Sequence, residues 1–435
     1  MSWRLDRAVE FLVRSPGVDD FVAIERAGTR VSAGPGGLRA RHRDIHVDVA
    51  LFRDVGSGRG ATHVRITADG RDIGARLTAA IQRAAQAMGP VWGAPPPAAP
   101  ARVEVADPAI GDDLDAALER LLARSRRLRR DLVQWQLAVE RWDSQVQTSA
   151  GLDSRFASTL VGAEAVPAAA PGAPVGTCAR RLIDLDWTAD ITAAAARRRD
   201  RDRATAVAPD RCDLVLSGAA LVSDITAPAA PERGLPAVDL GAFGWFAPLL
   251  AQADAHRVRL GLTRYRPGQP IHEGPAPVGE RLTLSSDGTI PYGLRSRPFG
   301  DLGAPMRQHT LVADGVAVDL LRDPREAALD HGLLTGGIGN LVMPPGRTPP
   351  DALRASTGRP VLELASLAWL DIDPDTGELA AGIDLGYLDG APITGPTIRG
   401  NLFTWLARMS CSAQLAQRGW YRGPEAVRFD DVELA

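Results

Sequence analysis

The first stretch of the chain alternates between apolar and polar residues with a period of two, which is the pattern of half-buried β-strands. This alternation predicts strands at Phe21–Ala27, Ile45–Phe52 and His63–Thr67. Apolar residues then recur at helical spacing from Ile73 to Met88, which predicts a helix. Strands followed by a helix indicate an α/β or α+β unit in this part of the chain.

The next segment pairs a helix with a hairpin. Leucines between Leu114 and Leu128 trace one face of a helix that has Asp112 or Asp113 as its N-terminal cap, and arginines occupy the opposite face. Val133–Val139 then alternates as a strand before a turn at residues 149–151.

Strand patterns dominate beyond Arg211. Asp314-Gly315 and Asp389-Gly390 each separate two apolar runs, and this dipeptide is a strong hairpin signal. The predicted strands are Asp213–Leu216, Arg281–Ser285, Thr310–Val312, Val316–Leu320, Val361–Ile372, Glu378–Tyr387 and Ala426–Val432, with a helix near Asn401–Ser410. This pattern predicts a large, mostly antiparallel region.

A short helix interrupts these strands. Asp323 is its predicted cap, Pro324 lies in its first turn, Glu326 completes a capping box, and Gly332 ends it.

Stretches rich in proline, glycine and alanine mark the candidate linkers. They are Gly89–Pro100, Val166–Gly176, Thr226–Pro236 and Met343–Pro350. We predict an α+β fold with an N-terminal α/β domain at residues 1–210, which can be subdivided at the proline-rich stretch 89–100. A large, mostly antiparallel β domain follows at residues 211–435.

Composition adds exclusions. The formal net charge is −3 over 435 residues, so no overall field attracts the protein to nucleic acid or to a membrane surface. All of the basic side chains are arginine, which excludes lysine-based covalent chemistry. Three dispersed cysteines, Cys178, Cys212 and Cys411, do not make a disulfide framework, and we find neither a signal peptide nor a membrane span. We therefore expect a cytoplasmic protein.

Several short motifs, taken in order, carry a resemblance to a known family. They are Thr263-Arg264-Tyr265-Arg266-Pro267-Gly268-Gln269-Pro270-Ile271, Leu282-Thr283-Leu284, Ser286-Asp287-Gly288, Gly303-Ala304-Pro305-Met306-Arg307, Gly358-Arg359-Pro360, Asp373-Pro374-Asp375-Thr376-Gly377-Glu378, Gly386-Tyr387 and Gly400-Asn401-Leu402. Their order and spacing resemble the TldD/PmbA family, specifically its TldE (PmbA) type, over nearly the whole chain. In this family two related subunits form a zinc-dependent peptidase.

The resemblance implies a division of labour between the two subunits. The catalytic TldD subunit carries HExxxH on a helix and a cysteine further on. The resemblance places the corresponding helix of this chain, here called the inner helix, near Ala242–Arg259, and its only histidine is His256. We read its apolar face as packing, and we read His272-Glu273 as part of a loop. The resemblance thus predicts no catalytic residue, metal or cofactor in this chain, and zinc in a TldD-like partner.

Two other sets of possible metal ligands, His42 with His46 and Cys411, are better explained by packing roles. His42 and His46 share one face of a predicted strand and have no clear third ligand nearby, so a packing role ranks above a two-ligand site. Cys411 falls earlier than the resemblance requires for a metal ligand, and we read it as a buried small residue.

Four residues are candidates for lining a substrate cavity. Arg264, Tyr265 and Arg266 lie just after the inner helix in the resemblance, where arginine can bind a peptide carboxylate. The equally weighted alternative is that they support the Pro267-Gly268 turn and a subunit contact. Asp287 is the fourth candidate.

Two arginine-rich runs, at residues 124–130 and 197–203, could bind phosphates. Interleaved aspartates and the absence of stacking aromatics favour solvated, ion-paired faces instead.

The sequence therefore predicts a non-catalytic, TldE-like subunit of a heterodimeric zinc metallopeptidase. Its expected substrate is a peptide cleaved in an internal chamber, either a modified precursor peptide or an intermediate of natural product biosynthesis. The alternatives are a peptide-binding or assembly protein without a peptidase partner, and a hydrolase that uses carboxylates such as Asp287 or Glu280.

Overall fold

The computed structural model describes residues 3–67, 72–86, 88–93, 98–167, 175–185, 187–207, 210–222, 244–274, 277–300 and 302–435. The predicted linker Thr226–Pro236 lies outside the described residues, as do most of Val166–Gly176 and part of Gly89–Pro100. Ala242 and Phe243, at the start of the predicted inner helix, also lie outside them.

Twenty strands and ten helices make up the described regions. The strands are β1 Asp20–Ala33, β2 Arg39–Val55, β3 Gly58–Ile66, β4 Met88–Pro90, β5 Leu132–Thr148, β6 Asp153–Pro167, β7 Val175–Ala179, β8 Asp210–Ser217, β9 Leu284–Asp287, β10 Gln308–Ala313, β11 Val316–Ala317, β12 Asn340–Val342, β13 Val361–Ile372, β14 Glu378–Leu388, β15 Ala391–Ile393, β16 Thr397–Asn401, β17 Met409–Cys411, β18 Leu415–Arg418, β19 Tyr421–Pro424 and β20 Ala426–Leu434. The helices are α1 Trp3–Arg14, α2 Ile73–Ala84, α3 Leu114–Arg124, α4 Trp187–Arg201, α5 Gly218–Val222, α6 Ala247–Gln252, α7 Ala255–Arg259, α8 Pro324–Asp330, α9 Pro350–Leu353 and α10 Leu402–Trp405.

Sheet 1 is built from the first seven strands in the order β4-β3-β2-β1-β5-β6-β7, and every pairing is antiparallel. Alternate side chains of β1 and β2 face opposite sides of the sheet, as the sequence pattern predicted. On one side, α1 and α2 cover the half around Val47 and Leu51, while α3 covers the half around Val31 and Leu137. Asp113 caps α3 by accepting a hydrogen bond from the main-chain nitrogen of Ala116 at 2.9 Å.

The opposite side of sheet 1 faces the later part of the chain. Val22, Phe52 and Val146 from the sheet pack there against Phe299 and the half-buried Leu302. Helix α4 lies on the same side of sheet 1 as α3, packs there against β6 and β7, and also contacts β14 and β15. The division of the chain at residue 210 therefore stays a prediction, because α4 bridges the two predicted units.

Two further sheets form the region beyond residue 210. Sheet 2 has the strand order β11-β10-β9-β12-β19-β18, with β12 and β19 parallel and the other pairs antiparallel. In sheet 3, the order β13-β8-β20-β16-β14 is closed into a ring because β13 also pairs with β14. Only the β13–β8 pairing in this ring is parallel. One large apolar core, which includes Leu214, Leu250 and Trp405, lies between these sheets.

Two helix predictions are wrong in their extent. The helix that starts at Ile73 ends at Ala84, because Met88 belongs to β4. The helix predicted to Ser410 ends as α10 at Trp405 and a 3₁₀ turn, because Met409–Cys411 pairs with β20. In both cases strand pairing ends the helical run.

Candidate functional site

The segment that the resemblance aligns with the family's metal helix consists of two short helices. Helix α6 ends at Gln252 and α7 begins at Ala255, with Asp254 between them as the cap of α7. The backbone of Leu321 forms hydrogen bonds on both sides of the break, at 2.8 and 3.0 Å. The prediction of one continuous helix over Ala242–Arg259 is therefore wrong.

Helix α6 packs into the protein. Leu249 and Leu250 are buried in the large core. Gln252 is buried as well, and its side-chain amide donates to the carbonyl oxygens of Pro374 and Asp375 at 3.2 and 2.9 Å. A zinc site needs three or four clustered Cys, His or carboxylate donors. The side chains of α6 do not fit that requirement, and no group of three such donors has the geometry of a metal site in the described ranges.

His256 on α7 belongs to an ion-paired cluster with Glu326 of α8. Its Nδ1 lies 2.9 Å from Oε1 of Glu326, and Arg259 donates to both carboxylate oxygens at 2.7 and 2.9 Å. Burial opposes ionisation of Glu326, but the hydrogen bonds from Arg259 and His256 outweigh it and lower the pKa of this carboxyl. Asp323 caps α8 by accepting from the main-chain nitrogen of Glu326 at 2.8 Å. The predicted capping box is only half formed. In a capping box the side chain of Glu326 would accept from the main-chain nitrogen of Asp323, but it accepts from Arg259 instead.

Arg264 and Arg266 hold loops together. Arg264 forms an ion pair with Glu273, and its guanidinium lies 5.4 Å from the ring centroid of Phe403. Arg266 donates to the carbonyl oxygens of Thr263 and Tyr265 at 2.9 and 2.8 Å, within its own turn. These contacts match the turn-support interpretation, while contact with a peptide stays a prediction. Glu273 lies in a loop, as predicted, although Pro275 and Ala276 fall outside the described residues.

Tyr265 points into the core. Its side chain belongs to a residue that is only 5% exposed, and its hydroxyl donates to the carbonyl oxygen of Leu311, with that of Asp319 also within reach at 3.1 Å. Burial raises the pKa of this phenol well above its usual value. The contacts of Tyr265 are therefore those of a core residue.

Asp287 lies at the end of β9, apart from the Arg264–Arg266 turn. Its Oδ1 accepts from the nitrogen and the hydroxyl of Thr289 at 2.7 and 2.6 Å. Glu280 clamps two other main-chain nitrogens, those of Arg347 at 2.7 Å and Cys411 at 3.1 Å. Both carboxylates thus stabilise loop conformations, and the four predicted cavity residues do not meet in one place.

The predicted strand around His42 and His46 is confirmed as part of β2. His42 is exposed, whereas His46 is buried with its ring nitrogens 3.4 Å from carboxylate oxygens of Asp44 and Asp48. Asp48 is itself paired with Arg26 at 2.7 Å. Burial alone would raise the pKa of Asp48. These hydrogen bonds and charges outweigh burial and hold that pKa far below its usual range. His46 is thus part of a buried ion-paired network of the sheet.

The cysteines are three free thiols of low reactivity. Cys411 is buried in β17, which agrees with its reading as a small packed residue. Burial is the main cause that raises the pKa of Cys178, Cys212 and Cys411 to about 12. Thiolate chemistry at neutral pH is disfavoured at all three sites.

A cleft lies where the ends of β1, β2 and β5 meet the loops after Phe299 and before Thr335. This sheet–loop cleft is narrow and partly open to solvent, and a water-sized sphere can enter about 40 Å³ of it. Its lining residues are Asp20, Phe21, Val22, Phe52, Trp92, Ala98, Thr148, Ser149, Ala150, Leu152, Leu302, Gly303, Ala304, Pro305, Pro324 and Leu334. Most of these side chains are apolar, so the surface of the cleft is mainly hydrophobic.

One carboxylate lies at the polar end of the cleft. Asp20 accepts from the hydroxyl of Ser149 at 2.9 Å and is paired with Arg59. The guanidinium of Arg59 lies over the rings of Phe52 and Trp92, at 5.6 and 4.8 Å from their centroids. Because Pro324 starts α8, the helix that carries Glu326 also forms one wall of the cleft. The cleft therefore adjoins the segment aligned with the family's metal helix.

Residues 272–435 match a family model described as the PmbA/TldA metallopeptidase C-terminal domain. This C-terminal part is therefore a PmbA/TldA-type domain. None of the curated proteins matches the sequence. In the described parts of the chain, no helix is long and apolar enough to span a membrane.

Solved structures share the fold over almost the whole length of the chain. TldE from Thermococcus kodakarensis is 16% identical with a TM-score of 0.71, and the match covers 99% of this chain and 98% of that one. A protein described as a candidate modulator of a DNA gyrase from Thermotoga maritima is 14% identical with a TM-score of 0.72, covering 99% of both chains. A similar protein from Bacteroides thetaiotaomicron is 14% identical with a TM-score of 0.72, covering 99% and 98%. The predicted α+β, mostly antiparallel fold of the TldD/PmbA type is confirmed.

Sequence reasoning missed the sheet–loop cleft. Its walls come from segments as far apart as Asp20, Trp92, Ser149 and Leu334, and no local motif joins them. The available signal was indirect: the motif Gly303–Arg307 carried the family resemblance, and its first residues line the cleft.

Proposed function

We propose that this chain is the TldE-like, non-catalytic subunit of a heterodimeric zinc metallopeptidase. A TldD-like partner would supply HExxxH and the zinc, and this subunit would contribute walls of the peptide chamber. Modified precursor peptides and intermediates of natural product biosynthesis are the substrate classes we propose.

The observation that carries the proposal is the packing of α6. In a catalytic subunit this segment would present imidazoles to a metal, whereas here Leu249 and Leu250 are buried in the core and Gln252 is engaged by backbone carbonyls. The nearby charged side chains are also paired, His256 with Glu326 and Arg264 with Glu273. This donor set does not fit zinc, so we assign no hydrolytic step to this chain.

The partner's zinc would polarise the scissile carbonyl and activate water. The contribution of this chain is positional. The apolar walls of the sheet–loop cleft exclude water from a bound segment, and the paired carboxylate of Asp20 gives the cleft one polar end.

The division of labour is tested by purifying the chain alone and together with its TldD-like partner. We expect zinc and peptidase activity in the complex and neither in the isolated chain, as measured by metal analysis and peptide cleavage. A partner whose HExxxH glutamate is replaced by glutamine is the matched inactive control. Stoichiometric zinc together with cleavage by the isolated chain would overturn the proposal.

A pair of neighbouring leucines tests the role of the cleft. Leu334 lines the cleft, whereas Leu333 is exposed outside it. Leu334→Trp should raise the KM of the complex for peptide because the indole occupies the cleft, and Leu333→Trp should leave KM unchanged. Equal effects of the two substitutions would remove the cleft from the substrate path.

The carboxylate-hydrolase alternative finds little support in the contacts. Both oxygens of Glu280 are held by main-chain nitrogens, and Asp287 is engaged by Thr289. That alternative requires hydrolysis by the isolated chain that is lost in Asp287→Ala, so the same purified chain decides it.

A further inference from the structure

A second concave surface lies at the other end of sheet 1. The arginine groove, as we define it, lies between the turn that joins β1 to β2, the end of α3 with the 3₁₀ turn that follows, and the start of β5. It is lined by Ala33, Gly34, Pro35, Gly36, Gly37, Leu38, Arg39, Leu122, Arg126, Arg129, Arg130 and Trp135, and a water-sized sphere can enter about 430 Å³ of it. None of these residues lines the sheet–loop cleft.

The guanidinium groups in this groove are poorly neutralised. Arg126 and Arg130 are exposed and form no ion pair with a carboxylate in the described part of the chain. Arg129 donates to the carbonyl oxygen of Leu122 at 2.9 Å and has no carboxylate partner among the described residues either. The pKa of Arg129 is lowered, first by burial and then by the charge of Arg126. The charge of Glu119 acts on Arg129 in the opposite sense, yet three arginines that line the groove have no carboxylate within ion-pair distance among the described residues, so positive charge is concentrated there.

Neighbouring arginines show the contrast. Arg39 on the rim is paired with Glu119, and Arg41, further along the same strand, is paired with Asp115 at 2.7 Å. Arg141 on β5 contacts Asp112 at 3.1 Å. The groove thus combines one paired arginine, Arg39, with three that lack a carboxylate partner among the described residues.

The groove also has an apolar wall and an open side. The guanidinium of Arg129 lies 4.7 Å from the ring centroid of Trp135, so the indole orients this charge. Gly36 and Gly37 have φ values of 68° and 78°, which favour glycine, and their positions leave open space where a Cβ would lie. A chain segment can therefore approach the arginines from the side of the turn.

We propose that the arginine groove binds an acidic segment of the peptide substrate. Arginine binds carboxylates through two parallel N–H···O contacts, and Arg126 and Arg130 are available for such contacts. A nucleic acid is the less suitable ligand because its bases need exposed aromatic faces, and the indole of Trp135 is already covered by Arg129. The proposal rests on the proposed function only in taking a peptide as the ligand.

Direct binding to the isolated full chain tests the proposal without any partner or turnover. The probe is a fluorescein-labelled twelve-residue peptide that alternates glutamate and serine, followed by fluorescence anisotropy. Arg126→Gln/Arg130→Gln should weaken binding at least about tenfold, because it removes both unpaired charges, and 0.5 M NaCl should do the same. Arg199→Gln/Arg203→Gln is the matched control, since both arginines are exposed on or just after α4, outside the groove, and it should change affinity less than about twofold.

Several results would overturn the proposal. They are the absence of saturable binding, equal losses in the two double variants, equal binding of an all-serine peptide, and tighter binding of a single-stranded oligonucleotide through the same arginines. Thermal melts of both variants verify folding, and the conservative pair Arg126→Lys/Arg130→Lys should retain part of the affinity if charge is decisive. The binding experiment measures neither zinc nor cleavage. A negative binding result therefore does not affect the subunit assignment, and a negative result for the subunit assignment does not affect the binding result.

Discussion

Replacing Tyr265 separates a core role from a substrate role. Tyr265→Phe keeps the ring buried and removes one hydroxyl, whose partner is the carbonyl oxygen of Leu311. That oxygen keeps a hydrogen bond from the nitrogen of Val318 at 2.9 Å, so it does not lose its last donor. The expected loss in free energy of unfolding is therefore about 0.5–1.5 kcal/mol. Tyr265→Ala also removes the ring and leaves a cavity, and the expected loss is about 3–5 kcal/mol.

The assay pairs chemical denaturation of the isolated chain with peptide kinetics of the assembled complex. Leu262→Ala is the matched control, because Leu262 lies in the same segment but is exposed, and it should cost less than about 0.5 kcal/mol. We expect Tyr265→Phe to leave KM within about twofold of the parent, since a buried hydroxyl cannot contact peptide. A tenfold rise in KM with unchanged stability would show that Tyr265 contacts substrate and would refute the core assignment.

Three further outcomes are expected. Arg428→Leu should destabilise the chain by about 3–5 kcal/mol in denaturant melts. The carboxylate of Asp213 lies 2.6 Å from Arg428 and is 1% exposed, so the substitution leaves it buried without its counter-ion. A loss below about 1 kcal/mol would contradict this expectation. Glu326→Gln should lower Tm at pH 7, and the gap from the parent should shrink as pH falls through the ordinary glutamate range. The pKa of Glu326 is lower in the folded than in the unfolded chain, so its ionised form stabilises the fold at neutral pH and this stabilisation is lost on acidification. A difference in Tm between variant and parent that widens in acid would refute the pairing of Glu326 with Arg259. Ellman's reagent at pH 8 should label the native chain slowly and all three cysteines after denaturation, because the native thiols have raised pKa values, and fast stoichiometric labelling would show a reactive thiol.

Local signals in the sequence predicted much of the fold. Alternation identified β1 and β2, Asp323 was correctly predicted as a helix cap, and Asp113 is the one of the two predicted candidates that caps α3. The hairpins at Asp314-Gly315 and Asp389-Gly390 join paired strands, and both aspartates adopt the positive φ that such turns require. These features depend on neighbours in the chain, so one sequence contains the information.

Features set by distant partners could not be predicted in this way. The inner helix is broken because Leu321 forms backbone hydrogen bonds at the break, and α10 is short because Met409 pairs with Phe429 on β20. Propensity alone favours longer helices in both places, and tertiary pairing prevails.

The candidate site was predictable only in part. Around Tyr265 the signal was present, since Thr263 and Tyr265 are buried while Arg264 and Arg266 are exposed, which is a period of two. A period of two places Thr263 and Tyr265 on the same, buried side of the segment. The sheet–loop cleft, by contrast, assembles from separate segments and has no sequence pattern of its own.

The ring in sheet 3 has a consequence for synthesis. Asp213 on β8 and Arg428 on β20 are 215 positions apart, so β8 leaves the ribosome long before its neighbour exists. At ordinary translation speeds this delay is roughly 10–40 s. During that interval the nascent chain displays an unpaired apolar strand edge, which is a target for chaperones and a start point for aggregation. The yield of active protein in a cell should therefore depend on elongation rate and chaperone supply more than on the stability of the finished fold.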